Sequence, residues 1–179
     1  MKKRRKWHCI TDRIQEIEKP RGAEIGVHQG ELSKNLLKRH RGLTLYMVDM
    51  WSHDTYSGKG EESAKQKYIE LYQNECESNL QKTKDATAKY KKRRRIIQGD
   101  SASSADNIQD GSLDFVFIDA DHSCEGCLRD ILAWLPKVKK GGYICGHDYP
   151  RYPGVVQAVD ETFGDRVELD ADHCWFVRL

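Results

Sequence analysis

The sequence predicts an α/β fold, with a mostly parallel, twisted sheet of about seven strands and helices on both of its faces. Short apolar runs alternate with segments whose apolar residues recur every three or four positions, which is the pattern of strands connected by helices. Each of the major apolar runs also ends in or is followed by an acidic residue. Ligands of parallel sheets bind beyond the carboxyl ends of the strands, so these acids mark a candidate ligand site.

The size and composition of the chain favour one globular domain over residues 1–179. Charged residues make up 32% of the chain and hydrophobic residues 38%, and the net charge is +2. No apolar run approaches the length of a membrane span, and the basic N-terminus lacks the apolar stretch of a secretory signal. We therefore expect a cytoplasmic protein without membrane contact, and its overall charge does not draw it to nucleic acids. A homodimer is compatible with the sequence but not required by it.

The strands are predicted from apolar runs that are bounded by turn residues. Five of them cover residues 22–27, 43–49, 95–100, 113–119 and 143–148. Two shorter strands, near 166–169 and 173–178, are expected to complete the sheet.

The helices are predicted wherever apolar residues recur at helical spacing. They are a basic N-terminal helix within residues 1–20 that ends near Pro20, a long helix within the segment 52–94, and shorter helices at about 32–38, 128–135 and 154–163. The stretch WSHDTYSGKG, at the start of the long segment, carries glycines and is expected to form a lid over the site at residues 52–60.

The first turn, EIGVHQG, argues against a dinucleotide site. The dinucleotide fingerprint requires three glycines, and His28 stands where the second is needed. Asp49 follows Gly26 by 23 residues, where an acid on the second strand can accept hydrogen bonds from both hydroxyls of a ribose. An acid-rich edge suits a ligand that combines a ribose, an amino group and a positive centre, as S-adenosylmethionine does.

Five segments resemble, in order, the motifs of the class I S-adenosylmethionine-dependent methyltransferases: AEIGVHQGELS, LYMVDMW, IIQGDS, DFVFIDADHSCEG and GGYICGHDY. More narrowly, they resemble the small-molecule O-methyltransferase-like group that carries an IDADHSYEG motif. The resemblance implies a Rossmann-like methyltransferase fold. It also implies transfer of a methyl group from S-adenosylmethionine to a hydroxyl of a small molecule.

The resemblance further implies a set of cofactor contacts. The matching residues are Glu24, Gly26, Gly30, Asp49, Met50, Trp51, Asp100, Ser101 and Asp119. The first three match the loop around the methionine part, and Asp49 matches the ribose-binding acid. Met50 and Trp51 stand where relatives place apolar contacts to adenine, although Trp51 fits a core or lid aromatic equally well. Asp100 and Ser101 match the position near the adenine amino group.

A divalent metal site is implied in the same way. In metal-dependent relatives, the acid that ends strand four and an acid just after strand five bind the cation, and Asp119 and Asp148 match them. Mg²⁺ prefers such oxygen ligands and would ease deprotonation of the substrate hydroxyl. Because His147 stands beside the second acid, Mn²⁺ or Fe²⁺ also suits the set. The alternative is a metal-free site.

His122 and Asp121 are the candidate general bases. An imidazole can take a proton from a hydroxyl near neutral pH. His122 lies three residues past Asp119, where some sugar O-methyltransferases that this region resembles carry a base. If His122 instead packs against the next helix, Asp121 takes the role.

Three alternatives use other features of the chain. A tetrahedral zinc site could draw on His122, Cys124, Cys127, Cys145 and His147, although buried thiols usually pack as small apolar side chains. The basic runs at 2–6 and 91–95 could serve a nucleic-acid-directed methyltransferase or binding module, but we expect both runs to be solvated. A nicotinamide-dependent oxidoreductase is the third alternative, and the glycine pattern disfavours it.

Overall fold

The computed structural model describes residues 3–52 and 62–179, and for residues 62–73 it describes the backbone only. The strands are β1 (Arg21–Ile25), β2 (Thr44–Asp49), β3 (Arg94–Gln98), β4 (Leu113–Ile118), β5 (Val138–Gly146), β6 (Glu168–Asp170) and β7 (Cys174–Arg178). They form one sheet in the order β3-β2-β1-β4-β5-β7-β6. The first five strands pair in parallel, and β7 runs antiparallel between β5 and β6. The predicted α/β fold is confirmed.

The helices pack in two layers, one on each face of the sheet. They are α1 (Lys6–Ile14), α2 (Glu31–Arg39), α3 (Glu62–Ala86), α4 (Ser101–Ala105), α5 (Cys124–Trp134) and α6 (Pro153–Phe163). One apolar cluster joins α1 and α2 to the sheet, and the other joins α4, α5 and α6 to the opposite face. In the part of the chain that the structure describes, no helix is long and apolar enough to span a membrane.

Strand β4 shows how the sequence produces two buried faces. All of its residues are buried. Phe115 and Phe117 point into the cluster with α1 and α2, whereas Val116 and Ile118 point into the cluster with α5 and α6. A strand that is covered on both faces reads as a continuous apolar run, which is the signal that predicted it.

Two predicted boundaries differ from the structure. Helix α1 ends at Ile14 rather than near Pro20, and Ile17 packs against the same apolar cluster from the turn that follows. Strand β5 begins at Val138 rather than at 143: Val138 pairs with Leu113, and the strand continues past a register shift between β4 and β5 that lies beside Gly141, which has a positive φ of 82°. Gly141 and Gly142 thus form part of an irregularity inside a strand. Of the predicted lid at 52–60, all but Ser52 lies outside the described residues.

Candidate active site

A cavity of about 900 Å³ lies along the carboxyl ends of β1, β2 and β4. That volume is within the range of sites that enclose a small ligand. Two of the lining residues, Lys6 and Arg129, are cationic. Among the described residues, eight acidic ones line the cavity: Glu24, Glu31, Asp49, Asp100, Asp119, Asp121, Glu125 and Asp130. The strand-end acids therefore meet at one edge, as the sequence predicted.

The loop after β1 is held close to the end of β4. Gly26 has a φ of 85°, and a side chain at this position would collide with the backbone of Asp119 and Ala120. Gly30 also has a positive φ, of 74°, and it is the N-cap residue that precedes α2. A side chain at Gly30 would meet Thr83 of α3. Gly26 therefore lines the cavity, whereas Gly30 serves the turn and its packing against α3.

Asp49 fixes the loops on both sides of the cavity. Its Oδ2 accepts hydrogen bonds from the backbone N–H groups of Val27 and His28, both at 2.8 Å, and its Oδ1 accepts one from Trp51 at 2.9 Å. His28 and Trp51 have φ angles of 55° and 38°, a region that non-glycine residues seldom adopt. The predicted ribose acceptor thus also holds two unusual backbone conformations in place.

Met50 and Trp51 separate in the structure. Met50 lines the cavity. Trp51 is only 4% exposed, packs in the cluster with α1 and α2, and donates a hydrogen bond from Nε1 to the His28 carbonyl at 2.8 Å. Of the two roles that the sequence left open for Trp51, an adenine contact and a core or lid aromatic, its burial favours the core aromatic.

Glu24 brings a buried carboxyl to the cavity wall. It is 2% exposed and accepts a hydrogen bond from the hydroxyl of Ser33. Burial raises the pKa of Glu24 to about 8. The carboxyl is therefore largely protonated at neutral pH, which limits repulsion among the acids of the cavity.

The basic run at the N-terminus contributes directly to this site. The Lys6 ammonium lies 2.6 Å from Asp119 Oδ2, and its side chain is 23% exposed. The expectation that the run is solvated is therefore wrong for Lys6. In the second run, Arg93 donates hydrogen bonds to the carbonyls of Leu37, His40 and Leu43 at the end of α2. A charge run carries no signal that distinguishes such anchoring residues from solvated neighbours.

The opposite end of the cavity is built around α4. Asp100 caps this short helix by accepting from the Ser103 N–H at 3.0 Å, and it pairs with Arg129 at 3.0 Å. Ser101 accepts a hydrogen bond from Trp134 Nε1 at 3.1 Å.

Asp130, which sequence reasoning missed, is 2% exposed and lines the cavity. One of its oxygens is without a hydrogen-bond partner among the described residues, and burial raises its pKa to about 6.

Beside the cavity, two carboxylates and an imidazole converge. Single ligand atoms of Asp119, His122 and Asp148 lie within 4.8 Å of one another. His122 Nε2 is 2.8 Å from Asp148 Oδ2, and the His122 ring stacks on Tyr152 with 4.2 Å between centroids. Asp148 is 5% exposed.

His147 lies next to this group. Its Nδ1 is 3.5 Å from Asp119 Oδ1 and 3.3 Å from Asp148 Oδ1. Burial alone would lower the pKa of His147, but the Asp119 carboxylate outweighs burial and the pKa is raised. The two carboxylates that the sequence predicted as metal ligands therefore favour the protonated form of His147.

The converging group has the donors that a divalent cation requires. His122 Nε2 is buried, and its approach to Asp148 is poorly aligned for a hydrogen bond. Two carboxylates and an unpaired imidazole nitrogen suit Mg²⁺, Mn²⁺ or Fe²⁺. The Lys6 ammonium already pairs with one oxygen of Asp119. A metal cation at this group would therefore compete with Lys6 for that carboxylate.

The thiols of the alternative zinc site lie elsewhere. Cys145 is fully buried and donates to the Val116 carbonyl at 3.1 Å. Cys127 is buried in the cluster with α5 and α6, and burial raises its pKa to about 12. Within residues 3–52 and 62–179, the group with metal-ligand spacing contains no cysteine. These thiols behave as small apolar side chains.

The two candidate bases face different places. Asp121 lines the cavity and accepts a hydrogen bond from the Ser123 N–H at 2.8 Å, in the turn that starts α5. His122 lies against Asp148 and Tyr152. Although Asp121 and His122 are adjacent in sequence, Asp121 therefore faces the cavity, whereas His122 faces the residues that follow β5.

The sheet order, the single inserted antiparallel strand and the acid-lined cavity define a Rossmann-like methyltransferase. The chain belongs to the Methyltransferase domain family, whose model matches residues 23–149. It is an S-adenosylmethionine-dependent methyltransferase, as its sequence motifs predicted.

Solved structures share the fold. The O-methyltransferase NovP is 21% identical with a TM-score of 0.64, and the match covers 96% of this chain and 76% of that one. A putative caffeoyl-CoA O-methyltransferase from Staphylococcus aureus is 15% identical with a TM-score of 0.65, covering 97% and 82%. The SAH-bound methyltransferase PaMTH1 of Podospora anserina is 16% identical with a TM-score of 0.60, covering 96% and 76%. None of the curated proteins that were compared matches the sequence.

Proposed function

We propose that this enzyme methylates a hydroxyl oxygen of a small molecule, with His122 as the general base. The contact between His122 Nε2 and Asp148 Oδ2, at 2.8 Å, carries the proposal. The ionised carboxylate of Asp148 beside this ring nitrogen stabilises the protonated form of the imidazole by charge attraction, although the contact is not aligned as a hydrogen bond. Stacking on Tyr152 fixes the plane of the ring.

The side chains divide the work of the reaction. When bound, S-adenosylmethionine supplies an electrophilic methyl group on its sulfonium. Because Nε2 faces Asp148, Nδ1 of His122 is the atom that accepts the hydroxyl proton. Asp119 and His147 lie beside Asp148 and orient the substrate. The enzyme therefore contributes alignment and proton removal.

A second candidate uses the same residues to hold a divalent cation. The spacing of Asp119, His122 and Asp148 favours it, with His147 as a further neighbour. A cation there would lower the pKa of the substrate hydroxyl. His122 Nε2 would then be a ligand, so the base would be another group, and Asp121 is the nearest alternative in sequence.

The test is methyl transfer from isotopically labelled S-adenosylmethionine to a panel of phenols, glycosides, amines and thiols, with products identified by mass spectrometry. We expect O-methyl products in EDTA, and His122→Gln should lower kcat roughly 10²–10⁴-fold with little change in SAH affinity. His40→Gln is the matched control, because this histidine lies at the end of α2, outside the acid–imidazole group. Loss of wild-type activity in EDTA that Mn²⁺ or Mg²⁺ restores would favour the cation. N-methyl or S-methyl products alone would contradict O-methylation.

A further inference from the structure

We infer that Lys6 binds the carboxylate of the methionine part of the methyl donor and makes the enzyme selective for ligands that carry an amino-acid group. The inference deepens the proposed function and rests on it. Lys6 lies at the start of α1, in a run of basic residues that the sequence gives no reason to place in a ligand site. Its ammonium nevertheless reaches the cavity wall at the ends of β1 and β4.

The position of Lys6 follows from its contacts. Its Nζ is 2.6 Å from Asp119 Oδ2 and 6.0 Å from the centre of the Phe117 ring. Glu24, on the neighbouring strand β1, lines the same cavity. Lys6 therefore lies between the acids of β1 and β4, which is the end of the cavity where the motifs place the methionine part of the cofactor.

The charges of the cavity explain why a cation is needed there. Apart from Glu24, whose carboxyl holds its proton at neutral pH, seven acidic side chains line the described part of the cavity, and a ligand carboxylate that enters it must find a positive partner or be repelled. Arg129, the other cationic side chain of the lining, is paired with Asp100 at the opposite end, next to α4. In the described part of the lining, this leaves Lys6 as the cation for a carboxylate near Glu24 and Asp119.

The backbone of Lys6 is anchored while its side chain can exchange partners. The Lys6 N–H donates to Asp172 Oδ2 at 3.1 Å, and α1 is tied to β6 by Arg13 and Asp170 at 2.6 Å. Without ligand, the ammonium is neutralised by Asp119. With ligand, a carboxylate can share or replace that partner, and the ligand's amino group can then pair with Asp119. The ammonium is paired in both states, so the exchange leaves no buried charge without a partner.

Binding of two probes separates this role from a structural one. S-adenosylhomocysteine carries the amino-acid group, and 5′-methylthioadenosine has the same adenosine and sulfur without it. In calorimetric titrations, Lys6→Met should weaken S-adenosylhomocysteine roughly 10- to 100-fold, the value of a hydrogen bond to a charged group. The affinity for 5′-methylthioadenosine should stay the same.

Two further variants complete the design. Lys6→Arg keeps the charge and should retain most of the preference for S-adenosylhomocysteine. Lys19→Met is the matched control, because Lys19 is exposed and pairs only with the adjacent Glu18; it should change neither affinity. Equal weakening of both probes by Lys6→Met, or no weakening of either, would overturn the inference. If wild-type protein binds 5′-methylthioadenosine and S-adenosylhomocysteine equally, Lys6 has no such role. If it binds neither, the cofactor assignment itself fails.

Discussion

Glu24 combines burial with an ionisable carboxyl, and this combination makes stability depend on pH. Its pKa is raised by burial to about 8 in the folded chain, against a usual value of 4.5. Between these two values the folded state holds a proton that the unfolded state has lost. The free energy of unfolding must therefore fall as pH rises through this window, and the loss is complete above about pH 8.

Replacing Glu24 with Gln should remove that dependence. The amide keeps an acceptor for Ser33 and cannot ionise. We expect Glu24→Gln to gain stability relative to the wild type as pH rises from about 5 to about 8.5. Urea unfolding of both proteins across this range measures the difference. A difference that does not change with pH would show that Glu24 stays ionised in the folded protein.

Single residues also show what the sequence could and could not predict. Asp49 and Asp119 were predicted to line the site because each ends an apolar strand, and parallel strands bring their carboxyl ends together. Trp51 was ambiguous, since an aromatic after a strand suits a cavity wall and a core equally well. Lys6 and Asp130 lie on helices, where only three-dimensional packing decides which side chain reaches the cavity.

At the scale of elements, α1 is attached to the C-terminal strands by charge rather than by apolar contact alone. Arg13 pairs with Asp170 at 2.6 Å, and its guanidinium lies 3.6 Å from the centre of the Phe176 ring. Its side chain is 17% exposed. A guanidinium that is stacked and mostly buried contributes more than an ion pair in solvent.

Arg13→Met should therefore loosen α1 while it preserves most of the apolar stem. We expect a loss of about 1–3 kcal/mol in the free energy of unfolding, because the carboxylate of Asp170 loses its strongest partner. Faster hydrogen exchange should be confined to α1 and β6. Arg39→Met, at an exposed position of α2, is the control. An exchange pattern that is unchanged in α1 would mean that apolar packing alone holds the helix.

The elements differ in how well the sequence predicts them for physical reasons. β4 is buried on both faces and reads as one apolar run, so its position was predicted correctly. α4 was missed because its residues, SASSA, have no apolar periodicity, and the helix depends on capping by Asp100. The early start of β5 was missed because its first half contains two lysines and two glycines.

At the scale of the whole molecule, the candidate active site draws its residues from the carboxyl ends of all five parallel strands. The cavity is lined by residues that follow β1, β2, β3 and β4, and the acid–imidazole group lies at the ends of β4 and β5. These residues come together only when the sheet has formed. A ligand that contacts several strand ends at once binds the folded chain and not the unfolded one, and it must stabilise the fold by mass action.

S-adenosylhomocysteine should therefore raise the free energy of unfolding by about 2.7 kcal/mol when present at one hundred times its dissociation constant. NADH at the same concentration should have no effect, because the first turn lacks the dinucleotide fingerprint.

Asp49→Asn should reduce the shift with S-adenosylhomocysteine. It should also lower the stability of the free protein by about 1–3 kcal/mol, because an amide cannot accept all three backbone hydrogen bonds that the carboxylate accepts. Asp165→Asn, at an exposed position, is the control for loss of charge alone. Thermal unfolding of the three proteins with each ligand provides the measurement, and stabilisation by NADH but not by S-adenosylhomocysteine would contradict the cofactor assignment.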